Sequence, residues 1–349
     1  MEIYLTQAFC YLFINVIVRS LSYHAVSYIM DKDLSEGAMA MLPISIFGFR
    51  ALWSPWFLLL IVVGIAFYFL LTMKWRHHFK DTEPVTPKQI SFFLMGMILL
   101  YAVKGSPVDL LGHILFAVHM VQMAFLLLVI APFIILGLPN WIWKKIFDVT
   151  ILNKILGVLT KPLVALVVFS FMFSLYHYPL ILDNVKLSPV LHTIFTVTLF
   201  IAALFFWWPI TNSLNGQPKI VGLKKIGYVI LSALLITPAC ALIIFVDVPV
   251  YETYSSGEAW LQAMALCVPA NTLNSLAGLN ISGPELFINT PTVYDQQLGG
   301  IIMKVFQEIV YVVVIGTEFL RWHKDEQKNA DEITRKDLLE RQKMYTHGL

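Results

Sequence analysis

The sequence predicts an all-α membrane protein, a bundle of about seven transmembrane helices. Of its 349 residues, 58% are hydrophobic and only 13% are charged, whereas roughly 25% of an average soluble domain is charged. Because so few polar side chains cannot cover a water-soluble globule of this length, lipid must solvate much of the surface. Basic residues also concentrate in alternate loops, which is typical of multi-pass membrane proteins.

Seven apolar segments are long enough to cross a bilayer, which takes roughly 20 residues. In chain order they are 53–72, 90–106, 110–137, 155–176, 189–209, 226–247 and 297–321. The third is long enough to tilt or protrude. Another apolar segment, 257–276, contains Pro269 and three side-chain amides, which favours an interfacial or re-entrant position.

Lysine and arginine predict the orientation of the bundle. They concentrate after the odd-numbered spans, at Lys74, Arg76, Lys80, Lys88, Lys144, Lys145, Lys154, Lys219, Lys224, Lys225, Arg321 and Lys324. The long loop 248–296 has four acidic residues and no basic one. Since basic loops stay in the cytoplasm, we expect an outside N-terminus and a cytoplasmic C-terminus.

Two segments flank the membrane domain, which we place at 47–323. Residues 1–46 are interpreted as an eighth span, an interfacial helix, or the product of a misplaced translation start, with Met39 or Met41 as the true beginning. Residues 324–349 are highly charged, which is typical of a solvated helix or a disordered cytoplasmic tail.

Four of the nine histidines are predicted at one membrane depth, at the outer ends of three spans: His113, His119, His177 and His192. If the third span is one helix at about 100° per residue, His113 shares one third of its circumference with Asp109, His119, Met120 and Met123. Such polar groups in a span normally face the bundle interior and are often functional.

Imidazole and thioether groups without paired thiolates suit copper, especially Cu(I), whereas zinc more often takes cysteines or carboxylates. The seventh span opens with a second polar cluster, in which Asp295 either orients an imidazole or caps a helix N-terminus. We therefore predict a copper ion with ligands drawn from His119, Met123, His113, His192, His177, Met303 and Met120, and with Asp109, Asp295 and Gln296 as the partners that orient them.

Several function classes are not indicated. The cysteines Cys10, Cys240 and Cys267 are far apart, so neither a disulfide framework nor a thiolate zinc site is expected. The basic residues are dispersed, which argues against nucleic-acid binding. We find no Walker loop, GxSxG or HExxH motif, and we expect a protein that is not an enzyme.

The chain resembles the CtaG family of assembly factors for the bacterial caa-type cytochrome c oxidase, over roughly residues 47–325. The similar segments are His119-Met120-Val121-Gln122-Met123 with Ala131-Pro132 and Leu136-Gly137-Leu138-Pro139, His192 with Phe206-Trp207-Trp208-Pro209, Asp295-Gln296-Gln297-Leu298-Gly299-Gly300-Ile301-Ile302-Met303, and Phe47-Gly48-Phe49-Arg50-Ala51-Leu52-Trp53-Ser54-Pro55. Where the family commonly has a second histidine, this chain has Met123.

The resemblance implies a multi-pass protein of the bacterial cell membrane that matures the oxidase by binding or delivering copper, acting as a chaperone. Its partners would be the oxidase subunits and the lipid bilayer, with other copper chaperones or a second copy of the chain as further candidates. Three alternatives stay open. They are a haem-binding redox protein, a copper transporter, for which the inner halves of the spans show no matching polar stripe, and a scaffold without metal.

Overall fold

The computed structural model of the chain describes residues 44–255, 257–265, 268, 283–284, 287 and 290–347, with side chains as far as 342. Regular structure in these ranges is entirely helical. The helices are α1 (Ile44–His78), α2 (Pro87–Lys104), α3 (Pro107–Ile114), α4 (Phe116–Gly137), α5 (Asn140–Asp148), α6 (Thr150–Leu159), α7 (Pro162–Tyr176), α8 (Pro179–Lys186), α9 (Pro189–Thr211), α10 (Leu223–Phe245), α11 (Glu252–Ser255), α12 (Gly257–Met264) and α13 (Thr292–His347). Most of the predicted extension 1–46, and most of 266–276, lie outside the described residues.

Five of these helices, α1, α4, α9, α10 and α13, are long and apolar enough to cross a membrane. Two bent pairs, α2–α3 with a bend of 47° and α6–α7 with a bend of 78°, bring the number to seven if each pair is one span. The prediction of an all-helical bundle with several membrane spans is therefore confirmed. Its orientation in the membrane remains a prediction.

Proline determines where many of the helices begin. Five of them start at a proline, namely Pro87, Pro107, Pro162, Pro179 and Pro189. The first helical residue needs no N–H donor and its φ matches that of proline, so proline fits this position without cost. Thr86 adds a capping box with Gln89 before α2.

The third predicted span is not one helix, and that prediction was wrong. Leu115 adopts an extended backbone with φ −123° and ψ 129°, so α3 ends at Ile114 and α4 begins at Phe116. His113 and His119 therefore belong to different helices. The single-helix stripe predicted from His113 to Met123 does not exist as a continuous face.

Helix α4 lies at the centre of the bundle. In its most apolar window 72% of the residues are buried, compared with 17% for α1. It packs against α13, which also packs along α10. The contact between α4 and α13 is close at Gly299, because a Cβ there would lie 2.6 Å from the Phe116 ring.

Helix α13 continues without interruption from its membrane part into the charged segment after Asp325, so the described part of the tail is helical. Towards this charged end, buried polar groups of α13 pair with residues of α10. Lys225 forms a 2.9 Å ion pair with Glu318, and Ser232 and Tyr311 share a 2.8 Å hydrogen bond. The prediction that the inner halves of the spans show no polar stripe matching the one near the histidines stays a prediction.

Candidate functional site

The four histidines predicted at one depth do gather at one end of the bundle, which we call the histidine end. His119 lies near the start of α4 and His192 near the start of α9, while His177 directly follows α7. His113 lies near the end of α3. Because α4, α9 and α13 begin at this end, where α7 finishes, residues distant in sequence come together here.

The histidines form two pairs. The ring centroids of His113 and His192 are 5.3 Å apart, and those of His119 and His177 are 6.0 Å apart. His113, His119 and His177 are each at most 4% exposed.

Within the described part of the chain, three buried ring nitrogens in these pairs have no hydrogen-bond partner: His113 Nδ1, His119 Nε2 and His177 Nε2. The other nitrogen of His177, Nδ1, lies 2.8 Å from the carbonyl oxygen of Phe173. If Nδ1 donates that bond, Nε2 carries the free lone pair. Buried polar atoms are nearly always paired, so these ring nitrogens are free to accept a ligand.

Aromatic rings surround His119 and connect this region to the loop after α10. The rings of Phe116, Tyr176 and Tyr254 all have centroids within 6.2 Å of the imidazole. Tyr254 donates a 2.9 Å hydrogen bond to the Gly112 carbonyl, and Tyr251 donates a 2.7 Å bond to the His177 carbonyl.

Burial also raises the pKa of the Tyr251 and Tyr254 hydroxyls, so both stay protonated at physiological pH and keep donating these bonds.

A buried lysine lies beside the histidines. Lys186, at the end of α8, is fully buried. Its Nζ lies 3.5 Å from the centroid of the Tyr254 ring and 3.5 Å from the carbonyl oxygen of His113. Neither Lys186 nor Tyr254 was among the residues predicted for this site. Lys186 could have been noticed because it is an isolated lysine in a predicted outer loop that otherwise has no basic residue.

Three hydrogen bonds to Asp183 join α8 to α11 at the histidine end. The Asp183 carboxylate accepts hydrogen bonds from the backbone N–H groups of Glu252 and Thr253, at 3.0 and 3.1 Å. It also accepts a 2.7 Å bond from the Thr253 hydroxyl. These bonds fix the position of α8, which carries Lys186.

The predicted methionine ligands are buried in the bundle, but they are less clearly paired than the histidines. Met120, Met123 and Met303 are all fully buried. Met120 packs against Gly299, where a Cβ would lie 3.1 Å from its Cγ. The histidine pairs, rather than the methionines, are therefore the groups brought together here.

The three predicted orienting residues bond to groups other than imidazole. Asp295 accepts bonds from the N–H groups of Phe116 and Ala117, at 2.6 and 3.3 Å, and so caps α4. Asp109 forms a 2.6 Å ion pair with Lys104 and a 3.0 Å bond with the Gln122 amide. Gln296 accepts a 2.9 Å bond from the Val250 N–H. The alternative that Asp295 caps the helix it opens was wrong, because the N-terminus that it caps is that of α4.

Among the residues that the structure describes, no three His, Cys, Asp or Glu side chains converge into one metal-binding group. Cys240, the cysteine within the described ranges, is buried and has a free thiol. A metal ion at this end would therefore be held by few side chains.

Comparison with known proteins gives one match. No curated protein and no solved structure shows significant similarity to the chain. The family described as cytochrome c oxidase caa3 assembly factor (Caa3_CtaG) matches residues 66–325. The match begins after the segment Phe47–Pro55, which we had included in the resemblance, and it contains all four histidines. Since the match covers well over half of the sequence, the chain belongs to the Caa3_CtaG family of cytochrome c oxidase assembly factors.

Proposed function

We propose that this assembly factor binds Cu(I) between paired histidines at the histidine end and passes it to the oxidase during its maturation. The observation that carries the proposal is the presence of three unpartnered ring nitrogens within two adjacent imidazole pairs. Copper is cargo in this proposal, not a permanent part of the protein.

The spacing of the His119 and His177 rings suits a shared metal ion. Metal–imidazole bonds are about 2 Å long, so two nitrogens on opposite sides of one ion are about 4 Å apart. Each ring centroid lies about 1 Å behind its nitrogen, which gives roughly 6 Å between centroids. The observed distance is 6.0 Å. Two-fold coordination of this kind suits Cu(I) better than zinc, which takes four ligands.

The charge of Lys186 also favours a monovalent cation. Repulsion between a buried ammonium and a bound ion doubles when the ion carries two charges instead of one. Lys186 acts electrostatically on both His113 and His119. A site of neutral imidazoles beside this fixed charge would hold Cu(I) weakly enough for transfer, and the buried Met123 provides a thioether nearby on α4.

The haem alternative is less favoured. A porphyrin between two histidines needs a broad slot, but the rings of Phe116, Tyr176 and Tyr254 crowd His119. The transporter alternative gains some support from Ser232, Tyr311 and the Lys225–Glu318 pair in the inner half. However, these groups bond to one another, so they also serve to join helices.

Anaerobic titration of the purified protein with Cu(I), in competition with a chromophoric chelator, tests the proposal. We expect about one copper ion per chain, with X-ray absorption dominated by nitrogen ligands. His119→Ala and His177→Ala should each weaken binding roughly tenfold or more, because each removes one of very few ligands.

His323→Ala is the matched control, since this histidine lies in the exposed part of α13 and should not affect binding. The proposal is wrong if the parent protein binds no copper, or if the double variant His119→Ala/His177→Ala binds it as tightly as the parent. A Soret absorption band in the purified protein would instead support the haem alternative.

A further inference from the structure

A charged pair lies near the middle of the membrane part of α13. Lys304 Nζ forms a 2.7 Å ion pair with Glu308 Oε1, one helical turn further on. The same Nζ donates a 3.0 Å hydrogen bond to the hydroxyl of Thr237, near the middle of α10. Glu308 is also close to the centre of the apolar segment 297–321. Both helices therefore place this pair at about mid-membrane depth.

The side chain of Glu308 points away from the interior of the bundle, as its exposure shows. It is 50% exposed, compared with 26% for Lys304. Charged groups within spans are costly in lipid and almost always face the bundle interior or a water-filled cavity. A half-exposed carboxylate at this depth is therefore a strained arrangement for an isolated chain in a bilayer.

Glu308 lies at the centre of a regular exposed stripe on α13. Alternating steps of four and three residues connect Tyr294, Leu298, Ile301, Val305, Glu308 and Val312, and all six are exposed. This spacing is the seam pattern of helix–helix packing. Any lipid-facing helix has an apolar stripe, but only a packing face has a reason to place a carboxylate in it.

We propose that this stripe, from Tyr294 to Val312, is the docking surface for a transmembrane helix of another protein, which offers a hydrogen-bond donor to Glu308. A second copy of this chain fits less well. In a two-fold dimer of parallel helices, equivalent positions face each other. Glu308 would then oppose its counterpart, and like charges repel strongly in lipid.

The proposal does not depend on copper, because the stripe lies on the outer surface of α13 and the histidines do not belong to it. It does agree with the chain's family, since an assembly factor must contact the membrane protein that it helps to assemble. A donor at mid-membrane depth on the partner, such as an amide, hydroxyl or indole, would compensate the free carboxylate oxygen.

Photo-crosslinking in membranes of cells that assemble the oxidase tests the surface. A photoreactive amino acid replaces Val312 in the full chain, and mass spectrometry identifies the joined peptide. We expect a transmembrane peptide of another protein that has a donor side chain within one turn of the crosslink. The same probe at Leu234, an exposed residue of α10, is the control and should give no such adduct.

Glu308→Leu should reduce the Val312 adduct to the level of the Leu234 control, because it removes the polar attachment. The thermal stability of the purified variant should equal that of the parent. The variant Lys304→Met/Glu308→Leu provides a second test without a lone buried lysine, and the adduct should be lost again. An adduct with a second copy or with residues 1–43 of the same chain would overturn the proposal, and so would a Val312 adduct that is unchanged in both variants.

Discussion

Asp295 shows how one side chain can position the candidate site without touching it. Its carboxylate accepts two backbone N–H groups at the first residues of α4, including that of Phe116, which is 179 residues away in sequence. The start of α4 is therefore fixed by α13, and His119 lies in the next turn. An acidic group at a helix N-terminus also interacts favourably with the helix dipole.

Removing this cap should destabilise the protein. In Asp295→Ala the N–H groups of Phe116 and Ala117 lose their partner in a buried place, and unmade buried hydrogen bonds cost about 1–3 kcal/mol each. We expect the free energy of unfolding in a detergent–SDS titration to fall by about 2 kcal/mol. Asp295→Asn keeps an acceptor and should lose about half as much.

Asp331→Ala, in the exposed part of α13, is the control for Asp295 and should leave stability unchanged. Equal stability of the alanine variants at positions 295 and 331 would mean that the cap has no structural role.

At the scale of elements, close approach of helices replaces the hydrophobic driving force that lipid does not provide. Helix α2 packs against the end of α4 at Gly137, where a Cβ would lie 2.6 Å from the backbone nitrogen of Phe93. Tyr68 of α1 donates a 3.0 Å hydrogen bond to the Gly137 carbonyl. Three helices therefore meet at one residue that cannot carry a side chain.

Gly137→Ala should force α2 and α4 apart, because the backbone of Phe93 cannot rotate out of the way. Overpacking of this kind costs about 1–3 kcal/mol, which a thermal unfolding experiment in detergent would detect as a lower transition temperature. Gly157→Ala is a matched change on α6, where a Cβ would meet nothing within 4 Å. It should be neutral or stabilising, since alanine favours helix over glycine. Similar effects at both positions would refute the packing argument.

At the scale of the molecule, the sequence was sufficient for the all-helical fold and the order of the apolar helices, because bilayer thickness fixes their length. It predicts about seven spans, and the structure has five, or up to seven if each bent pair is one span. The sequence was not sufficient for the break at Leu115, since neither proline nor glycine occupies residues 113–118 and Asp295 stabilises the start of α4 from far away in the chain. The sequence did predict that the four histidines lie at one end of the bundle, because they occur at the same ends of their spans. Their pairing, His113 with His192 and His119 with His177, depends on which helices are neighbours, which apolar patterns in lipid do not encode.

The orientation of the whole bundle decides whether copper could reach the histidines from outside the cell. Lys225 and the histidine-end residue Phe245 lie at opposite ends of α10. The positive-inside rule places the Lys225 end in the cytoplasm, and so predicts that the histidine end faces outward.

Labelling of single cysteines tests this orientation, in a chain whose natural cysteines are replaced by serine. Val248, which is 60% exposed, follows α10 at the histidine end. Asn215 lies in the exposed loop at the opposite end, between α9 and α10. A membrane-impermeant maleimide should label Val248→Cys in intact cells, but Asn215→Cys only after permeabilisation. The reverse pattern would place the histidines in the cytoplasm, and copper would then have to be loaded from the cytoplasmic pool before it reached the oxidase.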